Sequence, residues 1–563
     1  MSLPNRFLKS RPEGANGSPA HPGDLIRRLE ELNEIGIALS KEKDLDRLLE
    51  TILVAAKKIT NADGGTLYRR HGAEDDTLRF EIIRTDSLGI AMGGTTGAQI
   101  PFDAIRLHDA EGRENTSMVV AYSVLKDSTV NIADAYTADG FDFSGTKAFD
   151  SRTGYRSRSF LTVPMKNHEN EIIGVLQLIN AMDRGTGEIV AFSEADERLA
   201  ESLASQAAVA LTNRLLILQL ENLFESFINL INEAIDDKSP YTGGHCNRVP
   251  VLTMLLAEAA HDAREGPLAQ WSMTDVDRYE LKIAGLLHDC GKVTTPVHVV
   301  DKATKLQTIH DRIALVDTRF EVIKRDAEIE MMRLRGAARF AAAGGEGAVL
   351  EQAFRERLRE IEDDRRFLRA CNIGCEAMPP EDQERVREIS RKYRWKNVDG
   401  EIVDFLTEDE LENLTIRAGT LTAKERSIIN HHIEVTIKML EALPWPRHLK
   451  NVPEYAGGHH ERMDGKGYPR GLTRDQMSVQ ARVMGIADIF EALTARDRPY
   501  KKGKTLTESL HILGKFKLNG HVDPDLFDIF VRERVYLRYA EQFLDREQID
   551  EVDVGKIPGY AGD

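Results

Sequence analysis

Cysteine is scarce. Four thiols in 563 residues cannot staple a chain of this length, so a disulfide framework is excluded and a reducing, cytoplasmic compartment is expected. No uninterrupted run of about 18 apolar residues occurs, so the sequence offers no membrane-spanning helix. Positive charge is also short: 75 Lys and Arg against 92 Asp and Glu leave a net charge of -17. Such a surface repels nucleic-acid polymers, which need a basic face, while leaving room for a small anion in a local basic pocket. Residues 1–23 lack the apolar centre of a secretion signal and read as a disordered tail. The chain as a whole, 41% hydrophobic and 30% charged, has an ordinary globular composition and is too long for one core, so two or three domains are expected.

The first domain is expected over residues 24–212. Leu25, Leu29 and Leu32, then Leu45, Leu48, Leu49 and Ile52, recur at helical spacing. Five β-rich runs follow between Gly64 and Asn180 (GTLYRR, LRFEIIRT, SMVVAYSVL, SFLTVPMKN and EIIGVLQLIN), separated by turn-forming clusters. A closing helix starts at FSEADERLAESLASQAAVAL. This order predicts an α+β sensor module. SFLTVPMKNHENEIIGVLQLIN with the helix after it resembles the C-terminal half of GAF domains. The resemblance implies a regulatory role and a small-molecule or protein signal that it does not identify.

The closing helix runs on. Leu199, Leu203, Gln206, Ala210, Asn213, Ile217, Leu220, Phe224, Phe227, Ile231 and Ala234 alternate steps of four and three. That heptad seam predicts a parallel coiled coil over residues 199–236, a signalling helix overlapping both domains and joining two copies of the chain.

The chemistry gathers farther on. HHERMDGKGYP, from His459 to Pro469, combines two imidazoles with glycines that permit a tight turn and a close approach. Three further segments carry matching residue types: His245 ahead of a helix, His288-Asp289 at the end of an apolar helix with Gly291 and Lys292 after it, and His431-His432 within a helix. Asp488 sits inside the apolar run VMGIADIFEAL, where an unpaired carboxylate is costly. A carboxylate beside an imidazole can bridge two ions, and this ligand mixture suits first-row transition metals better than calcium or magnesium. Lys292 adds a cation for an anionic substrate.

His245, HDCGK, His431, HHERMDGKGYP, IADIFEAL and RPYKK together resemble the HD-GYP family of helical, metal-dependent phosphodiesterases over about residues 222–301 and 415–531, within a domain expected over residues 222–555. The resemblance implies hydrolysis of cyclic di-GMP to pGpG, and in some members on to GMP. The alternatives are a degenerate binding or scaffold protein and a hydrolase of another cyclic dinucleotide. By the same resemblance His245, His288, Asp289, His431, His459, His460 and Asp488 hold two divalent ions, with Asp289 bridging. Iron or manganese is favoured over zinc, nickel or cobalt. His432 falls where relatives commonly have proline and is read as a non-ligand, and Tyr241 stands where some relatives place a third-ion glutamate. Asp289 and Lys292 are the expected catalytic residues. Lys292, Gly467, Tyr468, Pro469, Arg498 and Lys501 are the expected substrate contacts, with Glu461 and Asp464 holding ligand histidines from behind. About a hundred residues beyond the family's usual spacing predict a helical hairpin insertion over residues 306–420, with Ile309, Ile313, Val316, Phe320, Ile323 and Ala327 lining its first helix. His310-Asp311 within it lacks partner ligands and reads as a surface pair.

Overall fold

The computed structural model describes residues 22–72, 76–238, 244–340, 346–496 and 503–561. The chain falls into two compact units, residues 1–224 and 225–563.

The first unit opens with helices α1 (Pro22–Lys41) and α2 (Leu45–Thr60). Asp44 starts α2 by accepting the Arg47 N–H, and Asn61, left-handed at φ 52°, stops it. Strands β1 (Ala62–His71), β2 (Thr77–Thr85), β3 (Ile90–Gly93), β4 (Ile105–Arg106), β5 (Val130–Ile132), β6 (Phe160–Lys166), β7 (Ile172–Met182) and β8 (Ile189–Val190) form one antiparallel sheet. Its order is β3-β2-β1-β7-β6-β5, with β4 on β2 and β8 on β7. Leu67 in β1 and Leu176 and Leu178 in β7 bury one face against Leu49, Ile52 and Leu53 of α2. Gly65 lets the two layers close, because a Cβ there would stand 2.8 Å from Leu53. The other face takes Val120, Ala121 and Val124. These belong to SMVVAYSVL, which forms helix α3 (Val119–Leu125) and not the expected strand. Its small and β-branched residues meet the sheet at helical spacing, so tertiary packing overrides their strand preference. Helix α4 (Ser144–Thr153) follows it.

Helix α5 (Glu194–Lys238) is 45 residues long. Leu199, Leu203 and Ala207 lie in the first unit's core. Gln206 packs against α1, its side chain 2.3 Å from where a Cβ on Gly36 would stand. Farther along, Leu220, Leu223, Phe227 and Leu230 are exposed. One 18-residue window of α5 reaches a mean hydropathy of 1.2, enough by length and composition to cross a membrane, although 33% of that window is buried inside the chain.

The second unit is mostly helical: α6 (His245–His261), α7 (Asp275–Leu287) and the short α8 (Val297–Val300) precede α9 (Ile313–Phe340), α10 (Glu346–Asn372), α11 (Pro380–Lys392) and α12 (Glu408–Leu414). Then come α13 (Ala423–Glu441), α14 (Val452–Gly457), α15 (Val479–Thr494), α16 (Leu506–Leu518), α17 (Pro524–Arg532) and α18 (Val535–Phe543). Helix α6 packs on α7, α15, α17 and α18. Phe490 of α15 anchors this layer, its ring 4.9 Å from Phe530 and 6.1 Å from Tyr539.

Helices α9 and α10 run antiparallel, tied by ion pairs Asp317–Arg369, Lys324–Glu362, Glu330–Arg357 and Arg335–Glu351. With α11, α12 and a two-stranded ribbon they enclose a separate core around Phe320, Ile361, Val386 and Phe405. Ile309, assigned by its spacing to the first of these helices, lies outside it and is 95% exposed. Asp311 accepts from Thr304 and Asn372, so half of the His310-Asp311 pair is structural.

Candidate metal centre

Helix α7 starts at a reciprocal cap between Thr274 and Asp277, and its apolar residues Ile283, Ala284 and Leu287 carry His288 into the interior at its C-terminal end. The chain turns sharply there, and Gly291 meets α13 so closely that a Cβ would lie 2.0 Å from the carbonyl oxygen of His432. The Gly291 N–H donates to Thr436, 2.9 Å away. Glycine at this place therefore serves close packing, bringing Asp289 against α13.

Three buried histidines share one arrangement. The Nδ1 of His288 donates to the Gly285 carbonyl at 2.7 Å, that of His432 to Ile429 at 2.5 Å, and that of His459 to Ala456 at 2.6 Å. A carbonyl only accepts, so each Nδ1 carries the proton and each Nε2 of the neutral ring presents a lone pair inward. These Nε2 atoms face further acceptors. His432 Nε2 is 3.2 Å from Asp289 Oδ1, and His288 Nε2 is 3.2 Å from Asp289 Oδ2. Asp289 Oδ1, His432 Nε2 and His459 Nε2 are buried without a hydrogen-bond partner. Stranding three such atoms costs about 1–3 kcal/mol each unless something positive sits among them.

The donors fall into two triads, His245/His288/Asp289 and His432/His459/His460, each with its candidate ligand atoms within 4.8 Å of one another. Asp289 lies between them, Oδ2 toward His245 and His288 and Oδ1 toward His432. Asp488 does the same, with Oδ1 3.3 Å from His245 Nε2 and Oδ2 3.8 Å from His460 Nδ1. Two triads joined by two carboxylates fit a pair of divalent cations of the nitrogen- and oxygen-preferring kind.

The electrostatics agree. Burial, with His460 and His288 nearby, pushes His459 well below its ordinary value, and burial lowers His460 to about 4, so both rings stay neutral. Burial works against a charged His245 too, but Glu491, Asp289 and Asp488 outweigh it and lift that ring well above its ordinary value. Burial works against a charged Asp289 as well, yet Lys292 holds it well below the usual carboxylate range, its Nζ 2.5 Å from Oδ2. Without an ion, a proton on His245 supplies the positive charge that the acceptors need. A metal ion would displace it.

Six of the seven expected ligand residues converge here, and one correction follows. His431 is 60% exposed, its Nδ1 2.7 Å from Glu434. The buried face of α13 carries His432, Ile433, Thr436, Ile437 and Leu440, so the second histidine, not the first, reaches the cluster. That periodicity was available in the sequence; the comparison with proline-bearing relatives pointed one residue astray. Glu461 and Asp464 also do something other than expected. Glu461 accepts the N–H groups of Arg470 and Leu472, and Asp464 pairs with Arg462 and accepts the Lys466 N–H. They brace the loop and touch no histidine of the cluster. Gly465 turns that loop at φ 73°, and Gly467 approaches Arg462 N to within 2.4 Å of where a Cβ would be. Tyr468 stacks on His460 with ring centroids 4.9 Å apart. Tyr241, Arg498 and Lys501 lie outside the described residues.

Sequence reasoning missed Glu491. Its two oxygens hold His245 Nδ1 at 2.5 Å and the Arg248 guanidinium at 2.7 Å, and the residue is fully buried. The signal was a second carboxylate three residues after Asp488, on the same face of an apolar helix. A cavity of about 450 Å³ opens onto the cluster, lined by His459, His460, Asp488, Tyr468, Arg462 and Lys466 among others.

Residues 44–211 match the GAF domain family and residues 408–526 match the HD domain family. A cyclic di-GMP phosphodiesterase of Pseudomonas aeruginosa is 37% identical over 116 residues, 21% of this chain and 27% of that protein. A 3′3′-cGAMP-specific phosphodiesterase of Vibrio cholerae is 44% identical over 81 residues, covering 14% and 19%. A probable cyclic di-GMP phosphodiesterase of the same species is 34% identical over 142 residues, covering 24% and 32%. The chain thus spans a third or less of the length of these relatives. The GAF match falls within the α+β unit and the HD match within the mostly helical one.

Proposed function

We propose that this chain hydrolyses a phosphodiester bond of a cyclic dinucleotide, cyclic di-GMP in the first place, with two divalent first-row ions held by His245, His288, Asp289, His432, His459, His460 and Asp488. The supporting observation is the set of buried acceptors aimed at one another across Asp289, an arrangement that cations would stabilise. When bound, such ions polarise phosphoryl oxygens and make water a stronger nucleophile. The chain's own residues do the rest. The Gly285, Ile429 and Ala456 carbonyls and Glu491 fix the imidazole tautomers. Lys292 offsets negative charge beside Asp289. Tyr468, stacked on His460, forms a wall of the cavity that would take the substrate.

A second reading, hydrolysis of 3′3′-cGAMP, draws on the relative of that specificity, 44% identical over its matched segment. Turnover of cyclic di-GMP, 3′3′-cGAMP and cyclic di-AMP by iron- or manganese-loaded protein separates the readings. Absence of hydrolysis from protein shown to contain both ions would leave a binding or scaffold role in place of catalysis. We further take the GAF domain to receive the regulatory signal, and the exposed stripe Leu220, Leu223, Phe227 and Leu230, stepping three, four, three, to pair two copies of α5. In full-length protein, Leu220→Asp with Phe227→Asp should halve the mass measured by light scattering. A wild-type monomer would end that idea.

A further inference from the structure

A second cavity of about 630 Å³ lies on the other side of the Tyr468-Pro469 wall, and it contains none of the cluster's ligands. The exposed side of α13 lines it with Arg426, Asn430 and Glu434, four residues apart, together with Ser427 and His431. One helix therefore serves two sites: His432 faces the cluster from its buried side, while these side chains face the second cavity.

The lining has a particular chemistry. Arg426 has no carboxylate partner among the described residues, and its charge is felt at Tyr468. Glu434 holds His431 through Oε2, which leaves Oε1 free to accept. Tyr468 lines both cavities and stacks on His460, so the aromatic ring borders the second cavity as well as the first. A donor fork, a carboxylate acceptor and an aromatic face are what a guanine base calls for. Arginine pairs with guanine O6 and N7, and guanine's N1–H and N2 amine can donate to a carboxylate. Stacking on an aromatic ring adds affinity without selecting the base. Adenine presents an acceptor at N1, which Glu434 would repel.

We propose that this cavity is the subsite for the nucleobase remote from the scissile phosphate, and that Arg426 and Glu434 set a preference for guanine there. The proposal rests on the cyclic-dinucleotide reading above, so its test separates the two. Calorimetric titration of cyclic di-GMP into chelator-treated full-length protein reads the subsite without turnover. Hydrolysis of bis(p-nitrophenyl) phosphate by the metal-reconstituted protein reads the histidine cluster through a substrate that has no base. Arg426→Ala should weaken cyclic di-GMP binding about tenfold, the loss of one good base contact. Glu434→Gln should shrink the preference for cyclic di-GMP over cyclic di-AMP by about as much. Undetectable binding by the wild type, or equal affinity in Arg426→Ala, overturns the subsite whatever the simple diester does. An affinity loss in Arg426→Ala with no diester hydrolysis by the wild type supports the subsite and overturns the hydrolytic reading alone.

Discussion

Two parts of the second unit bury charge, and they do it in opposite ways. In and beside the α9–α12 region the buried charges have opposite or polar counterparts, although Asp317 Oδ1 and Arg365 Nε make no hydrogen bond of their own. Lys302 meets Asn413 and Glu425, and Lys305 donates to the Leu414 and Ile416 carbonyls. Arg319 forks onto Glu410, and Asp364 accepts from Tyr393 and Lys392. In the histidine cluster, acceptors face acceptors and three polar atoms are stranded. Burying polar groups is tolerable when they are satisfied, so the first region reads as architecture. The second keeps an arrangement that destabilises the ion-free fold, and such a cost persists where a ligand repays it.

Swapping one residue at a time should expose that contrast. The largest effect is expected from His432→Ala, which should lose metal and diester hydrolysis by more than the roughly 10–100-fold that removing an outer partner costs. His431→Ala, one residue away, should keep its full complement of ions by elemental analysis. Equal metal loss in both variants would contradict the placement of α13. Next comes the architectural region. Arg319→Ala leaves Glu410 buried and unpaired and should cost about 3–5 kcal/mol, read as a lower denaturation midpoint with metal content unchanged. Burial alone would raise the Glu410 pKa, but Arg319 and the Thr407 contacts outweigh it and hold the carboxyl below its ordinary 4.5. A carboxyl depressed in the folded state stabilises above its unfolded value and loses that contribution as pH falls. The wild-type midpoint should therefore decline below about pH 4.5, and Arg319→Ala should flatten that decline.

What the sequence made legible follows the same division. The clustered histidines and Asp289 and Asp488 stood out because charged and imidazole side chains at the ends or on the faces of apolar helices have few structural excuses. The α+β order of the first unit was readable from alternation and turn residues, and the amphipathic spacing of Val316, Phe320 and Ile323 marked α9. The misses have local causes. SMVVAYSVL carries strand-forming residues that the sheet recruits as a helix. The choice between His431 and His432 needed the helix phase set by Thr436 and Leu440. Glu491 looked like one more acid until its contact with His245 was visible.

Glu491 gives a smaller effect on the functional side. Glu491→Gln keeps an acceptor for Arg248 but removes the carboxylate that orients His245 through Nδ1 and makes its Nε2 a stronger donor to a metal, so metal affinity should fall roughly 10–100-fold. Metal-binding titrations check this, and an unchanged affinity would reduce Glu491 to packing. The smallest effect belongs to the satisfied region. Tyr393→Phe removes one donor from Asp364, 2.9 Å away, while Lys392 at 2.7 Å remains. The expected loss is about 1 kcal/mol in the unfolding midpoint, the value of an ordinary hydrogen bond whose acceptor keeps another partner. A loss several times larger would mean that the α9–α12 network behaves as one unit, and that its satisfaction is as finely balanced as the cluster's lack of it.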